Sequence, residues 1–437
     1  MRVLALTTEG FRNLQPLALS PHPRFNVLSG DNGQGKTNVL EAIYVLATLR
    51  SFRTTRLDEL VAFGGEAAAL RARVEHRQSE RVFGVDIGLR PPRKQALCDG
   101  KSARTGEYFG GFNLILFAPE DLRLPKGPPA GRRRFLDRAI WNTCPSYLDE
   151  VRIYERILRS RNILLRGGNS RASGPTEDGA DSTLSTAGVV ALPDNNALLD
   201  IYDQRLASAG ALLFARRRRY IEALAPRVAE VFASISGPGH EVAVQYQPAL
   251  KPGKSAAKAT DCSGSADDQA ASDSNADGTE QGEPVIVSPV RDEQRDLDER
   301  LLAQLKRDRR RDLLRGFTHS GPHADDVLFF LDGRPAELHA SQGQTRALVL
   351  SLKIAEIQHL HALLGDPPVL LLDDVSSELD REKNGALFAF LRESPSQVFI
   401  TTTDPGYIRI GPAQHDRQDF RVQGGGVVPV DSATSGE

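Results

Sequence analysis

One short stretch limits what this chain can be more than any other feature. Residues 30–37 read Gly30-Asp31-Asn32-Gly33-Gln34-Gly35-Lys36-Thr37 and fit the pattern G-x-x-x-x-G-K-[ST]. Each position has a chemical reason. Glycines let the backbone wrap closely and aim N–H groups at phosphate oxygens. A helix opening at Thr37 adds the positive end of its dipole. Lys36 is a point charge for the terminal phosphates, and the Thr37 hydroxyl can join a Mg²⁺ shell. The setting fits as well. The apolar run Phe25-Asn26-Val27-Leu28 precedes the motif, and Val39, Leu40, Ile43 and Val45 follow it at the spacing of an amphipathic helix. Strand, glycine-rich loop and helix in that order are what the motif requires. All eight residues are therefore expected to bind ATP, with Mg²⁺ beside it.

A second constraint lies far downstream. Val369-Leu370-Leu371-Leu372-Asp373-Asp374 is an apolar run closed by two acids. Such a run suits a strand covered on both faces of a parallel sheet, and ligands bind at the C-terminal ends of such strands. Asp373 is placed to hold Mg²⁺, and Asp374 to orient or deprotonate an attacking water. Asp374 and Lys36 are the expected catalytic pair. Lys36 and Asp373 stand 337 positions apart. A compact P-loop enzyme keeps these motifs closer, so the nucleotide core is split by a large inserted lobe.

The rest of the chain supports that division. Strands are expected over 3–7, 25–28, 82–87 and 113–117, and a helix over about 37–48. The pattern turns helical from Arg132 to Leu165 and again over 196–235, as one or two helices. A basic helix follows at about 293–315. Two stretches, 167–195 and 251–284, are rich in Gly, Ser, Ala, Asp and Asn. They hold too few large apolar residues to offset chain ordering and read as disordered loops. The expected domains are 1–119, the N-terminal part of the core; 120–315, a helical lobe carrying both loops; and 316–437, the C-terminal part of the core.

Between the two nucleotide motifs lies Ser341-Gln342-Gly343-Gln344, close to the Ser-Gly-Gly-Gln signature of ABC ATPases. After the acidic strand comes Ser377-Glu378-Leu379-Asp380, which looks like their D-loop. Phe11-Arg12-Asn13-Leu14 and the split core resemble the SMC, RecN and RecF group, without the long coiled coil of the first two. Ser51-Phe52-Arg53-Thr54, Phe117-Ala118-Pro119-Glu120-Asp121-Leu122, Arg132-Arg133-Arg134-Phe135-Leu136-Asp137, Gly321-Pro322-His323-Ala324-Asp325-Asp326 and Thr401-Thr402-Thr403-Asp404 are similar to the RecF family. The resemblance covers nearly the whole chain, save the two polar loops and the C-terminal tail.

It implies an α/β fold: an ABC-ATPase head with a P-loop mixed-sheet core and an inserted, mainly helical lobe. It implies ATP and Mg²⁺, with Arg12 and Asn13 joining the ATP site. Ser341, Gln342, Gly343 and Gln344 would reach that ATP from a second copy, with Ser377 and Asp380 in the D-loop. The implied activity is a weak, DNA-stimulated ATPase of recombinational repair, forming an ATP-dependent homodimer on double-stranded or gapped DNA, with RecO and RecR as partners. Thr403 stands where transporters carry a switch histidine, and Asp374 where they carry Glu. Both departures imply slow turnover. No glutamine-loop residue is assigned.

Net charge is −2, which alone argues against a DNA binder. Residues 255–284 hold −6 of it, which leaves +4 on the rest. Basic residues there cluster at Arg132, Arg133 and Arg134, at Arg216, Arg217, Arg218 and Arg219, and over 306–315. Either of the first two clusters could line a phosphate-contacting face, or simply be a solvated helix face. The three cysteines, an odd and widely spaced set, suggest neither a disulfide framework nor a zinc site and favour a reducing cytoplasm. The first residues reach Glu9 too soon for a signal peptide, and no membrane span is expected. His319 and His323 have metal-ligand spacing, but Gly321-Pro322 between them argues for a turn. Three other readings stand beside the main one: an ATPase energising a membrane or other non-DNA partner, an ATPase with a nuclease domain, and a DNA-bound scaffold whose hydrolysis only times release.

Overall fold

The computed structural model describes residues 1–77, 79–169, 195–237, 239–250, 291–408 and 416–430. The expected disordered loops fall outside these residues, except at their edges. The chain forms two compact units. The first comprises Met1–Pro145, Glu222–Gln245 and Leu328–Glu437; the second comprises Ser146–Ile221 and Tyr246–Val327.

The chain opens with β1 (Arg2–Glu9), β2 (Leu17–Leu19) and β3 (Phe25–Ser29), and then α1 (Lys36–Thr48). Next come β4 (Ala67–His76), β5 (Ser79–Leu89), β6 (Pro92–Cys98), β7 (Lys101–Ser102), α2 (Thr105–Tyr108), β8 (Leu114–Phe117) and α3 (Pro129–Thr143). The second unit is built on α4 (Tyr147–Asn169), the first part of α5 (Asn195–Ser236) and α6 (Arg291–Arg315), with β9 (Val242–Gln247) lying between α5 and α6 in sequence. The remaining elements are β10 (Asp326–Leu331), β11 (Arg334–Pro335), α7 (Ala336–His339), α8 (Gln342–Leu364), β12 (Val369–Asp373), α9 (Val375–Glu378), α10 (Arg381–Glu393), β13 (Val398–Thr402), β14 (Arg417–Gln423) and β15 (Gly426–Val430).

Two sheets organise the first unit. One is antiparallel, in the order β2-β1-β4-β5-β6-β7. The other runs β15-β14-β3-β13-β12-β8, with every pair parallel except β14–β15. Strands β12 and β13 are buried at every position, as their apolar runs require. Helix α1 touches both sheets, and all its residues except Thr37 and Asn38 are buried. It is thus covered all round rather than amphipathic. The opposite face of the parallel sheet is covered by Val349, Leu350, Ile354 and Ile357 of α8 and by Leu387, Phe388 and Leu391 of α10.

Helix α8 is long and apolar enough by composition to cross a membrane, but it packs as a core helix, with 72% of its most apolar window buried. It also carries Lys353, almost fully buried, whose Nζ lies 2.8 Å from Leu116 O and 3.2 Å from Asp121 Oδ2. Asp121 in turn pairs with Arg138 of α3. Burying that lysine is tolerable because it is paired and hydrogen-bonded.

This packing moves the expected domain boundaries. Phe135, Leu136, Ala139 and Ile140 of α3 are buried and α3 packs on α8, so residues up to Pro145 belong to the first unit. Residues 316–327 stay with the helical unit, because Thr318 and Asp325 bind arginines there. The helical stretch expected from Arg132 to Leu165 is two helices, α3 and α4, parted at Pro145, which cannot continue a helix. Residues 167–169 close α4, and 195–236 form one helix of 42 residues with Pro226 inside it.

The apolar core of the helical unit encloses an ionic cluster. Arg161 of α4 is fully buried, with Nε 2.7 Å from Asp203 of α5 and Nη1 2.9 Å from Asp312 of α6. Thr318 Oγ1 accepts a further hydrogen bond from it at 2.7 Å.

Candidate nucleotide site

The glycine-rich loop joins β3 to α1 in the geometry its sequence requires. Gly30 has φ 152°, and a Cβ there would lie 2.3 Å from Val422 O, so only glycine fits. Gly35 caps α1 at φ 113°. Lys36 is buried, and its ammonium donates to Gly30 O at 2.5 Å and Asp31 O at 2.9 Å. Burial lowers its pKa, opposed by Asp374, Asp31 and Asp373.

The acids meet this loop. The Thr37 hydroxyl donates to Asp373 Oδ1 at 2.8 Å. Burial raises the Asp373 pKa, while hydrogen bonds from Thr401 and Thr37 work against the rise. Asp374 follows in the left-handed region, with φ 50°. Its N–H donates to Thr401 Oγ1 at 2.9 Å, and its Oδ1 is buried without a hydrogen-bond partner. Two hard oxygens in contact, beside a third that lacks a partner, make a donor set that fits Mg²⁺.

Arg12 and Asn13 flank the loop differently. The Arg12 guanidinium is taken up by Glu41 of α1, at 2.7 and 2.9 Å, and Glu41 is fully buried. Ser51 Oγ donates to the same carboxylate at 2.5 Å, and Arg53 lies 3.7 Å from it. Glu41 thus ties two loops to the phosphate helix, a role its place inside an apolar helix did not reveal. Asn13 sits on the loop itself: its Nδ2 donates to Gly33 O at 3.2 Å, and its Oδ1 accepts from Asn38 at 2.6 Å.

A second feature hidden from sequence reading is the β14–β15 turn. Gly424 N donates to Gln34 Oε1 at 2.6 Å, and Gly425 N to Gln34 O at 3.0 Å. A Cβ on Gly425 would lie 1.9 Å from Asn13 O. A glycine-rich tail segment carries no phosphate pattern, so only the pairing of β14 with β3 shows that it walls the loop.

The signature residues open α8. Ser341 is its exposed N-cap: Ser341 Oγ accepts from Gln344 N at 3.2 Å, and Gln344 Oε1 accepts from Ser341 N at 2.9 Å. Gln342 is exposed and Gly343 half-buried. This reciprocal capping box leaves the N-terminus of a 23-residue helix at the surface. In the D-loop, Ser377 Oγ donates to Asp374 O at 2.8 Å, and Asp380 caps α10 through Lys383 N at 3.0 Å.

The family model of the RecF/RecN/SMC N terminal domain matches residues 2–415. Over 428 residues the chain is 42% identical to the DNA replication and repair protein RecF of Myxococcus xanthus (strain DK1622), covering 98% of this chain and 97% of that one. It is 43% identical over 434 residues to the RecF of Anaeromyxobacter sp. (strain Fw109-5), covering 98% and 100%. This chain belongs to the RecF family. A solved structure of the recombination mediator protein RecF-ATPrS in the RecFOR pathway matches with a TM-score of 0.77 at 26% identity, covering 98% of both chains. A RecF-ATP structure matches with a TM-score of 0.76. The expected ABC-ATPase head with a mixed sheet and helices is therefore the fold, and RecF membership does not favour an ATPase that energises a membrane partner.

Of the basic clusters read from the sequence as a possible DNA face, Arg132, Arg216 and Arg217 are a correction, because the fold buries them. Arg132 is buried, with Nη1 on Gly127 O. Arg216 pairs with Glu150 at 2.7 Å, and Arg217 with Asp325 at 2.9 Å; both are buried. Arg218 and Arg219 share Glu293. Clustered basic residues look alike in sequence whether they hold a helical core together or face solvent. Arg133 is half-buried and Arg134 exposed, and Lys306, Arg307 and Arg310 are exposed on α6. The two histidines go to separate structural partners, His319 to Asp312 at 2.7 Å and His323 to Tyr154 at 2.6 Å.

Proposed function

We propose that this RecF-family chain binds ATP and Mg²⁺ in the cradle of residues 30–37, and that ATP joins two copies head to head on duplex or gapped DNA. The Thr37–Asp373 contact beside the unpartnered Asp374 Oδ1 carries the reading. Lys36 binds the β- and γ-phosphates, and the loop amides wrap them. Thr37 Oγ1 and Asp373 would hold Mg²⁺, which supplies charge neutralisation on the phosphate oxygens when bound. Asp374 orients a water in line with the γ-phosphate and takes its proton. A second copy brings its α8 N-terminus, with Ser341 at the cap, to the same γ-phosphate. One loop alone offers too few donors for that group. Closure follows ATP binding, and slow hydrolysis releases the dimer.

DNA is held through its phosphates without sequence reading, with the exposed Arg134 as a contact. The work belongs to DNA replication and repair, with RecO and RecR as partners in loading recombinase at gaps; the likeness to RecF proteins, among them a recombination mediator of the RecFOR pathway, supports this reading. A cytoplasmic, nucleoid-associated location goes with this role.

The test is ATP hydrolysis with and without duplex DNA, beside Lys36→Ala. Slow hydrolysis that DNA stimulates supports the reading. Hydrolysis indifferent to DNA, with no salt-sensitive DNA binding, keeps the ATPase and removes the DNA role.

A further inference from the structure

We infer that Thr401 is a positioning residue that sets both acids of the nucleotide site at once. The inference rests on the reading that Asp373 and Asp374 serve a bound Mg²⁺-nucleotide. Strand β13 lies between β3 and β12, so Thr401 stands in register with Leu28 on one side and Asp373 on the other. It is fully buried. Its hydroxyl proton goes to Asp373 Oδ1 at 2.8 Å, the oxygen that Thr37 also reaches; Leu372 O is farther, at 3.5 Å. The hydroxyl oxygen accepts from Asp374 N at 2.9 Å.

These two bonds do different things. The first fixes the Asp373 carboxylate so that Oδ1 faces Thr37 on the phosphate helix. The second holds the peptide of Asp374, a non-glycine residue at φ 50°. That region is strained for an L-residue. A half-buried N–H that loses its acceptor adds to the cost, so without Thr401 the turn is free to relax and re-aim the Asp374 carboxyl. A β-branched hydroxyl residue suits the task, because its side-chain rotamer is restricted in a strand. The geometry therefore makes one hydroxyl the hinge pin between the metal-facing acid and the water-facing acid. Neither Thr402 nor Thr403 duplicates it: Thr402 Oγ1 turns to Asp404 O at 3.0 Å, and Thr403 is exposed.

The test uses the full chain with Thr401→Val, which keeps shape and removes both bonds, and Thr401→Ser, which keeps the hydroxyl. Binding of a fluorescent ATP analogue is titrated with Mg²⁺ and repeated in EDTA, alongside turnover. Residues that orient metal ligands usually change metal affinity or activity by about 10–100-fold. Thr401→Val should raise the Mg²⁺ needed for half-maximal binding, and lower kcat, by that order. Binding in EDTA should change less than about threefold, since Lys36 and the loop amides are untouched. Thr401→Ser should recover most of both losses. Thr401→Val matching the parent in Mg²⁺ dependence and kcat overturns the inference. Thr401→Ser failing like Thr401→Val also overturns it, because packing rather than the hydroxyl would then be at fault. A parent chain that binds no nucleotide in either condition would instead overturn the reading of the site.

Discussion

Thr37 and Asp373 are 336 positions apart in the chain, and the hydroxyl of one donates to the carboxylate of the other at 2.8 Å. Thr37 stands in the first turn of α1, which follows β3, and Asp373 closes β12; β13 lies between β3 and β12 in the sheet. The two halves of the nucleotide site are thus joined by parallel strand pairing across a core that the chain leaves and re-enters. Losing either side of that contact should separate binding from chemistry.

Lys36→Ala should weaken ATP binding roughly 10- to 100-fold, the worth of charge-assisted hydrogen bonds to phosphate. Asp374→Asn should leave binding intact and slow single-turnover hydrolysis by roughly 10²–10⁴-fold, as for loss of a general base. A normal rate in Asp374→Asn would place the base elsewhere.

Gly425→Ala should cost about 1–3 kcal/mol in urea unfolding, because its Cβ would lie 1.9 Å from Asn13 O at φ 79°. ATP affinity should fall with it, because the turn grips Gln34 of the phosphate loop. Unchanged affinity would mean the loop holds its shape without that wall.

Glu41 is buried against Arg12. Arg12→Ala leaves it the Ser51 hydroxyl and, as its cation, Arg53 at 3.7 Å, and should destabilise the chain by about 3 kcal/mol. Adding Glu41→Gln should recover part of that loss in a double-mutant cycle. Strictly additive losses would show that the pair is not coupled.

Arg134→Glu should weaken DNA binding and flatten its salt dependence while leaving the melting temperature nearly unchanged. Arg217→Ala should do the reverse. It leaves Asp325 buried without its cation and should cost about 3–5 kcal/mol. A DNA defect in Arg217→Ala without a loss of stability would restore Arg217 as a contact.

Acid should destabilise the fold first through His359. Burial, with a contribution from Arg227, lowers its pKa to about 4 from 6.5. The unfolded chain therefore takes up this proton first. The contribution is present above about pH 6.5 and is lost as pH falls through the folded value, up to roughly 3 kcal/mol. Asp121 extends the loss further into acid: burial pushes its pKa up, but Lys353 and Arg138 hold it below the usual carboxylate value. Urea midpoints from pH 8 to pH 4 check this, and His359→Leu should flatten the slope above pH 4.

The local motifs were legible because their chemistry is carried by neighbours in sequence. The glycine spacing of 30–37, the apolar run into Asp373 and the cap at Ser341 each need only a few consecutive residues. The arginine runs were not legible in the same way. Arg217 and Arg134 are both members of basic triplets or longer, but one meets Asp325, more than a hundred positions away, and the other meets solvent. Nothing local separates the two.

By itself the sequence determined the phosphate loop, the acidic strand, the signature and their order, and with them the α/β head and the RecF family. Short-range backbone geometry and hydrophobic patterning are sufficient for the loop and the acidic strand, while the signature and the family came from the resemblance of the motifs to known sequences. Only the tertiary structure decided that Glu41 anchors two loops, that Thr401 joins the acids, that the Gly424–Gly425 turn walls the loop, and that Arg132, Arg216 and Arg217 are internal. Each of these depends on polar groups finding partners far from their neighbours in sequence. The requirement that such groups be paired acts on the folded chain and leaves no periodic trace in the sequence.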